Sequence, residues 1–368
     1  MNHISCYICR EMENLSKPDI RNLELEEISE FFLQSGEKQF RAKQVYEWLW
    51  AKGVTRFEEM SNLSKSLRIV LARHFSIYPV RINNVQLSKD RAIKTGFLLY
   101  DDNVVEGVLI PTKARATACI SSQVGCSLAC SFCATGKLKF RRNLAIGEIF
   151  DQVTIIRKQA NEQLNRQLTN IVLMGMGEPL LNYTNVLKAM NRVTSIEGLG
   201  MSPQRITLST VGISKMIRKL GDDEVKFNLA LSLHATNDKK REKIIPGNRT
   251  NSLDSLSEAL DYYYSKTKNR VTFEYLLLRD FNDTIQDAKE LAEFCKVVPC
   301  KINLIEYNPA GNDLFHPSTP EKTNDFAEFL KGRNLIVNIR KSRGRDIDAA
   351  CGQLAGRRGR MKTKDETE

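Results

Sequence analysis

The chain has 368 residues, 42 % of them hydrophobic, and a formal charge of +11 from 55 Lys and Arg against 44 Asp and Glu. That length fits one large domain with a small companion and an ordinary buried core. No apolar run reaches the roughly eighteen residues of a membrane span, and Met1-Asn2-His3-Ile4-Ser5-Cys6 lacks the basic and apolar regions of a signal peptide, so a cytoplasmic protein without a membrane partner is expected.

In a reducing compartment the nine cysteines read as ligands or catalysts before structural disulfides. The positive balance favours a polyanionic partner, most simply nucleic acid, but a merely soluble basic protein shares it.

Residues 1–85 read as a small helical module. Apolar positions recur at helical spacing over Leu23–Phe32 and Phe40–Trp50, where Val45, Trp48 and Leu49 share a face. A third helix is expected over Ser64–His74, with the joint to the rest near Ser76–Val80. The basic residues of the module suit phosphate contacts or a solvated face equally well. Cys6 and Cys9 form a C-x2-C pair that no second pair or histidine cluster accompanies, and it is read as incidental.

Residues 92–117, within a linking segment over 90–117, read as a β-hairpin. Lys94–Tyr100 and Val104–Ile110 flank the turn Asp101-Asp102-Asn103. Glu106 sits in an otherwise apolar strand that feeds into Ala118–Gly125, read as a strand closed by glycine. Directly after it stands Cys126-Ser127-Leu128-Ala129-Cys130-Ser131-Phe132-Cys133. Three thiols in C-x3-C-x2-C array can hold three corners of an iron–sulfur cubane and leave one iron open to a small molecule. A zinc site with a distant fourth ligand and plain buried thiols are the alternatives. The spacing resembles that of the radical S-adenosylmethionine enzymes.

From Cys119 to about residue 345 strands and helices alternate. Strands are expected at Ile171–Met174, Arg205–Ser209, Phe227–Ser232, Val271–Leu277 and Ile302–Tyr307. Helices are expected at Ile146–Asn161, Tyr183–Thr194, Ile213–Leu220, Ser252–Thr267 and Thr284–Lys296. This is the pattern of βαβ units on a parallel sheet. Ligands gather at the C-terminal strand ends of such sheets. There the chain offers Gly175-Met176-Gly177-Glu178-Pro179, Ser209, Ser232-Leu233-His234 and Asn308. The glycines permit close backbone approach and Glu178 can accept from an ammonium group; a plain strand-end turn has the same composition. His234 alone reads as a satisfied core histidine, and its strand-end position draws it toward a site. A last strand is expected over Ile336–Arg340, and the basic segment 357–368 reads as an unstructured tail suited to RNA.

Cys351 lies in a flexible-looking Ala-Ala-Cys-Gly context, and Cys119 on the strand before the cysteine array. If a partial barrel closes, both reach one open end, and two thiols beside a radical centre suggest a covalent carrier and a resolving partner. Two unrelated buried cysteines remain the alternative; Cys295 and Cys300 fit that description better.

Taken together, Val104–Pro111, Ala116–Cys133, Met174–Pro179, Met201–Gly212, Ser232–Ala235, Asn308-Pro309 and Asp346–Gly356 resemble the bacterial radical S-adenosylmethionine dual-specificity RNA methyltransferases that act on carbon 2 of adenosine. The resemblance spans roughly residues 20–356. It implies an α/β fold: a partial (βα)6 barrel over 118–356 with a small N-terminal helical domain and a β-hairpin extension. It implies one [4Fe–4S] cluster on Cys126, Cys130 and Cys133, and S-adenosylmethionine held by Gly177, Glu178, Ser209, Ser232, Leu233, His234 and Asn308. By the same resemblance Cys351 is methylated by one cofactor molecule, gives up hydrogen to the radical from a second, and adds to adenine C2. Glu106 then removes the C2 proton, and Cys119 releases the product through a transient disulfide with Cys351. The implied substrates are 23S ribosomal RNA at the peptidyl-transferase centre and the adenosine 3′ of the anticodon in tRNA. A flavodoxin-type electron donor and a monomer are expected. The sister group that methylates adenine C8 is the rival enzyme, and an RNA-binding protein with a structural metal the rival from another class.

Overall fold

The computed structural model describes residues 17–309 and 314–356. Cys6, Cys9 and the basic segment 357–368 lie outside the described residues.

Three helices open the fold: α1 (Leu25–Gln34), α2 (Phe40–Trp50) and α3 (Lys65–His74). Ser64 caps α3, its hydroxyl accepting from Leu67 N–H at 3.2 Å. The expected apolar stripe of α2 is wider than three positions. Ala42, Val45, Tyr46, Leu49 and Trp50 are buried, while Trp48 is half-buried beneath the Lys52 ammonium. The module packs on the remainder through Trp50, whose ring meets Phe150 edge-on at 5.0 Å.

A buried ion network fixes that junction. The Arg21 guanidinium donates to Asp19, to Asp151 at 2.8 Å and to the Tyr78 carbonyl at 2.6 Å. It lies against Gly147, where a Cβ would come within 2.5 Å of it.

The sheet has ten strands. Its first four are β1 (Arg81–Leu87), β2 (Ile93–Leu98), β3 (Val104–Pro111) and β4 (Ala116–Cys119), an antiparallel meander in sequence order. The expected hairpin is its middle pair. β1 is an addition: Arg-Ile-Asn-Asn-Val-Gln-Leu shows no clean alternation because it is an edge strand exposed on both faces. Next come β5 (Gln123–Val124) and β6 (Arg142–Asn143), a small separate ribbon, and α4 (Ile146–Leu164). The strands β7 (Asn170–Leu173), β8 (Ile206–Thr210), β9 (Asn228–Ser232), β10 (Val271–Leu277), β11 (Cys300–Glu306) and β12 (Val337–Arg340) then continue from β4, all parallel. Helices α5 (Tyr183–Thr194), α6 (Ser214–Asp222), α7 (Asp238–Ile244), α8 (Leu253–Thr267), α9 (Ile285–Phe294) and α10 (Pro320–Lys331) separate them. All seven residues of β10 are buried, as a strand covered on both faces must be. The expected partial barrel is present, with β12 as a seventh parallel strand.

The expected single strand over Ala118–Gly125 divides in two. β4 stops at Cys119 because the following backbone turns to the loop after β7. Ser122 N–H donates to the Met176 carbonyl at 2.8 Å, and Ser121 Oγ accepts from Met176 N–H at 2.8 Å. The cysteine loop therefore hangs from the β5–β6 ribbon. No helix among the described residues is long and apolar enough to cross a membrane.

Arg21→Ala would leave the Asp19 and Asp151 carboxylates, both largely shielded from water, without their cation. Removing one partner of such a pair costs about 3–5 kcal/mol. Chemical denaturation should show that loss, and an unchanged midpoint would contradict the assignment.

Candidate radical S-adenosylmethionine site

The cysteine loop runs from Gly125 to Arg141 and is closed at its base by β5 and β6. Gly125 has φ +77°, and a Cβ there would strike the Lys139 carbonyl at 2.3 Å, so the tight entry to Cys126 requires glycine. Within the loop Cys133 N–H donates to the Cys130 carbonyl at 3.1 Å, and Ser131 N–H to the Ile244 carbonyl at 3.0 Å. Cys126, Cys130 and Cys133 all border one cleft at the C-terminal strand ends.

Opposite them stands the loop after β7. Gly177 has φ +96°, and a Cβ on it would overlap Gln123 at 2.5 Å. This lets Gln123 Oε1 accept from Glu178 N–H at 2.9 Å, so the glutamate is locked to the cysteine loop's own ribbon. The buried Glu178 carboxylate accepts from Leu180 N–H at 3.1 Å and Val211 N–H at 3.0 Å. Burial pushes it up to about 7 against the pull of those donors. A carboxylate in that state gains most from an incoming cation.

Ser209, Ser232 and His234 border the same cleft. His234 adopts φ 58°, and its Nδ1 accepts from Leu276 N–H at 3.1 Å. The ring meets Phe132 edge-on at 4.8 Å. Burial, with Arg241 adding, pushes it down to about 3. It is thus a satisfied histidine and a cleft wall at once. Leu233 is placed differently: its side chain is in the core, and its carbonyl accepts from Arg241 Nε at 3.0 Å. Asn308 stands behind Cys351, with Nδ2 3.5 Å from the Cys351 carbonyl. Its buried Oδ1 has no partner among the described residues, an acceptor that a ligand donor would satisfy.

Two elements carry polar groups that the sequence left unmarked. In the register of β9, β10, β11 and β12, Ser232 pairs with Glu274, Glu274 with Asn303, and Asn303 with Asn338. Glu274 accepts from Asn303 Nδ2 at 2.7 Å and from Arg340 Nη1 at 3.2 Å. A buried acid in an otherwise apolar strand was the available signal. Arg241, fully buried on α7, donates to the carbonyls of Val211, Ser232 and Leu233 and to Asn248 Oδ1 at 2.7 Å. It ties together the loops after β8 and β9. Its segment, Asp-Lys-Lys-Arg-Glu-Lys-Ile, is so charged that no inward face was legible.

Cys351 lies in the wall between the main cleft and a second, smaller cavity, which Cys119 and Arg340 also border. Both thiols are free; the expected transient disulfide is not part of this structure. Burial pushes Cys119 up to about 12, with Cys351 adding and Arg340 opposing. Glu106 borders neither cavity. Its carboxylate is buried 3.8 Å from Lys94 Nζ and accepts from Ala355 N–H at 2.8 Å, four residues past Cys351.

The donor set fits a cubane. Among the described residues no three His, Cys, Asp or Glu side chains converge on a single ion. The loop thiols instead line one shared cleft at the strand ends, which is open to a further ligand. Burial pushes Cys126 up to about 11 and Cys130 further still, so metal ligation is what removes their protons. Among the described residues the one other cysteine that borders the cleft is Cys351.

The comparisons agree with this geometry. The family model for the ribosomal RNA large subunit methyltransferase N-terminal domain matches residues 18–77, and that of the radical SAM superfamily residues 120–295. A probable dual-specificity RNA methyltransferase RlmN of Cytophaga hutchinsonii is 56 % identical over 95 % of this chain and 96 % of its own. The dual-specificity RNA methyltransferase RlmN of Nitratidesulfovibrio vulgaris is 44 % identical over 91 % of this chain and 94 % of its own.

The chain belongs to the RlmN family.

A solved radical SAM methyltransferase from Sphaerobacter thermophilus superposes with a TM-score of 0.86 at 37 % identity, over 92 % of this chain and all of that one. Like other radical SAM proteins, this RlmN family member takes a [4Fe–4S] cluster and S-adenosylmethionine.

The His234 ring should stay neutral across the physiological range. Its folded pKa lies below the unfolded value, so its contribution to stability is present above pH 6.5. That contribution is lost as pH falls from 6.5 toward about 3, by up to about 1.4 kcal/mol per pH unit. Histidine NMR should show no titration of this ring between about pH 5 and 9; a midpoint near that of free histidine would contradict its burial.

Proposed function

We propose that the protein methylates carbon 2 of adenosine in 23S ribosomal RNA and in tRNA, with Cys351 carrying the methyl group. The observation that supports this most is the position of Cys351, which borders the cofactor cleft on one side and the Cys119 cavity on the other. A carrier sulfur has to meet a methyl donor, a base and a resolving thiol in turn, and only a residue in a shared wall can do so without moving far.

Adenine C2 offers no lone pair and no acidic C–H, so a polar methyl transfer fails there. When bound, the cluster and S-adenosylmethionine supply the methyl group and the hydrogen-abstracting radical. Cys126, Cys130 and Cys133 hold the cluster. Glu178, Ser209, Ser232, His234 and Asn308 form the cofactor's polar surroundings, with Gly177 allowing close approach and the Leu233 backbone held from behind by Arg241. The Cys351 sulfur, once bonded to the methylene on the base, is attacked by Cys119 sulfur. An S–S bond forms, the S–C bond breaks, and its electron pair goes to the methylene carbon, which takes a proton and becomes the methyl group. Arg340 beside both thiols favours the anionic form that Cys119 needs against its burial.

Glu106 is the proposed base for the C2 proton. Its anchorage to Ala355 keeps it close to the Cys351 loop, and it must leave that N–H to act. Residues 1–85 serve in this reading as an accessory module on the RNA side, joined through 90–117 to the barrel of 118–356. A flavodoxin-type protein supplies the electron, and the chain works as a cytoplasmic monomer.

Cys351→Ala should abolish RNA methylation and leave the cluster absorbance intact, whereas Cys119→Ala should accumulate a covalent protein–RNA adduct. Free methylated RNA from the Cys119 variant would remove that thiol from its role. Nuclease digestion and mass analysis of wild-type product should give 2-methyladenosine; 8-methyladenosine would overturn the regiochemistry.

A further inference from the structure

The second cavity has a composition unlike the first. It is lined by Cys119 and Cys351, by apolar side chains (Ile110, Met174, Ile305, Leu354) and the Ala349-Ala350 backbone stretch, and by the segment Arg340-Lys341-Ser342-Arg343. It is bordered by three cations and by no carboxylate. Arg340 is engaged inward by Glu274. Lys341 and Arg343 are exposed, and among the described residues no carboxylate lies within ion-pair distance of either.

The segment is also held rigidly. Gly344 N–H donates to Asp90 Oδ2 at 2.9 Å, and Asp346 accepts from Ser88 Oγ at 2.6 Å and Lys89 N–H at 3.0 Å. Asp346 is thus committed to the turn between β1 and β2, while Asp90 of that turn accepts from the Gly344 and Ala92 N–H groups and attracts Arg343 from beyond ion-pair distance. Asp348, the remaining exposed acid, offers its carbonyl to Lys94 and does not border the cavity. Lys341 and Arg343 are presented outward on a fixed backbone, beside a slot with apolar walls and a reactive thiol at its base.

An apolar slot with cations at its mouth suits one unpaired nucleobase whose flanking phosphates stay outside. We propose that Lys341 and Arg343 are the phosphate grip of the substrate RNA strand, seating the target nucleotide in the second cavity against Cys351. The inference rests on the RNA methyltransferase reading and deepens it, since nothing in the cofactor cleft requires these two cations.

The experiment uses the cluster-loaded full-length protein and a fluorescein-labelled stem–loop RNA with an unpaired adenosine 3′ of its anticodon. Affinity is measured by anisotropy across a potassium chloride series. Contacts to a single strand contribute about 0.7 each to the slope of log K against log salt. K341A and R343A should therefore each flatten the slope by about 0.7, and the double variant by about 1.4. Charge-preserving K341R and R343K should restore it, which a loss of loop structure would not allow. Lys266→Gln, an exposed lysine at the C-terminal end of α8, should leave the slope unchanged. A wild-type slope in K341A/R343A, with RNA still methylated by the wild type, overturns the grip alone. Wild-type protein that neither binds nor methylates the stem–loop overturns the methyltransferase reading and the grip together.

Discussion

The structure depends on how the loop after β12 is pinned. A curled parallel sheet leaves one side open, and the segment Asp346–Gly356 covers it. Its backbone is claimed by elements distant in sequence. Gly352 carbonyl accepts from Ala134 N–H at 2.7 Å, Leu354 carbonyl from Thr135 Oγ1 at 2.7 Å, and Ala355 N–H donates to Glu106 at 2.8 Å. Gln353 Nε2 donates to the Pro309 carbonyl at 3.0 Å. The cysteine loop, the β3 strand and the end of β11 thus all hold the same short stretch. These hydrogen bonds, each worth about 1 kcal/mol net and more at the Glu106 carboxylate, help to hold Cys351 in the wall between two cavities.

Electrostatics follow the same division of labour. The cofactor cleft contains a carboxylate raised by burial and a histidine held neutral, and behind its wall lies a buried guanidinium whose direct partners are carbonyls and an amide oxygen. Such a cleft is under-compensated on its own, and bound ions and charged ligands complete it. The second cavity is bordered by Arg340, Lys341 and Arg343, and Arg340, which also borders the cofactor cleft, is paired there with Glu274. Its charge suits thiolates within and phosphates outside. The row Ser232–Glu274–Asn303–Asn338 runs across four strands, with Ser232 and Glu274 bordering the cofactor cleft.

Much of this was legible in the chain, and the reasons for the rest are physical. Thiol spacing is local, so Cys126, Cys130 and Cys133 announced themselves. Phe40–Trp50, Tyr183–Thr194 and Val271–Leu277 were readable because their apolar patterns are strong; the structure has the same limits. β1 was hidden because an edge strand exposed on both faces has no alternation to display. α7 was hidden because a seven-residue helix whose buried side chains are Arg241 and the terminal Ile244 looks like a solvated charge run. Leu233 was read as a ligand for its place in a strand-end run, but it faces the core. The placement of Glu106 on Ala355 and the polar row through Glu274 depend on register and closure, and no single stretch of sequence encodes those.

The central claim is that Cys351 is a methyl carrier at the meeting point of two cavities. The most direct measurement is tandem mass spectrometry of the protein after incubation with S-adenosylmethionine in the absence of RNA. The account predicts one added methyl group, on the Cys351 sulfur and on no other residue. An unmodified Cys351 in cluster-loaded protein under reducing conditions would contradict it.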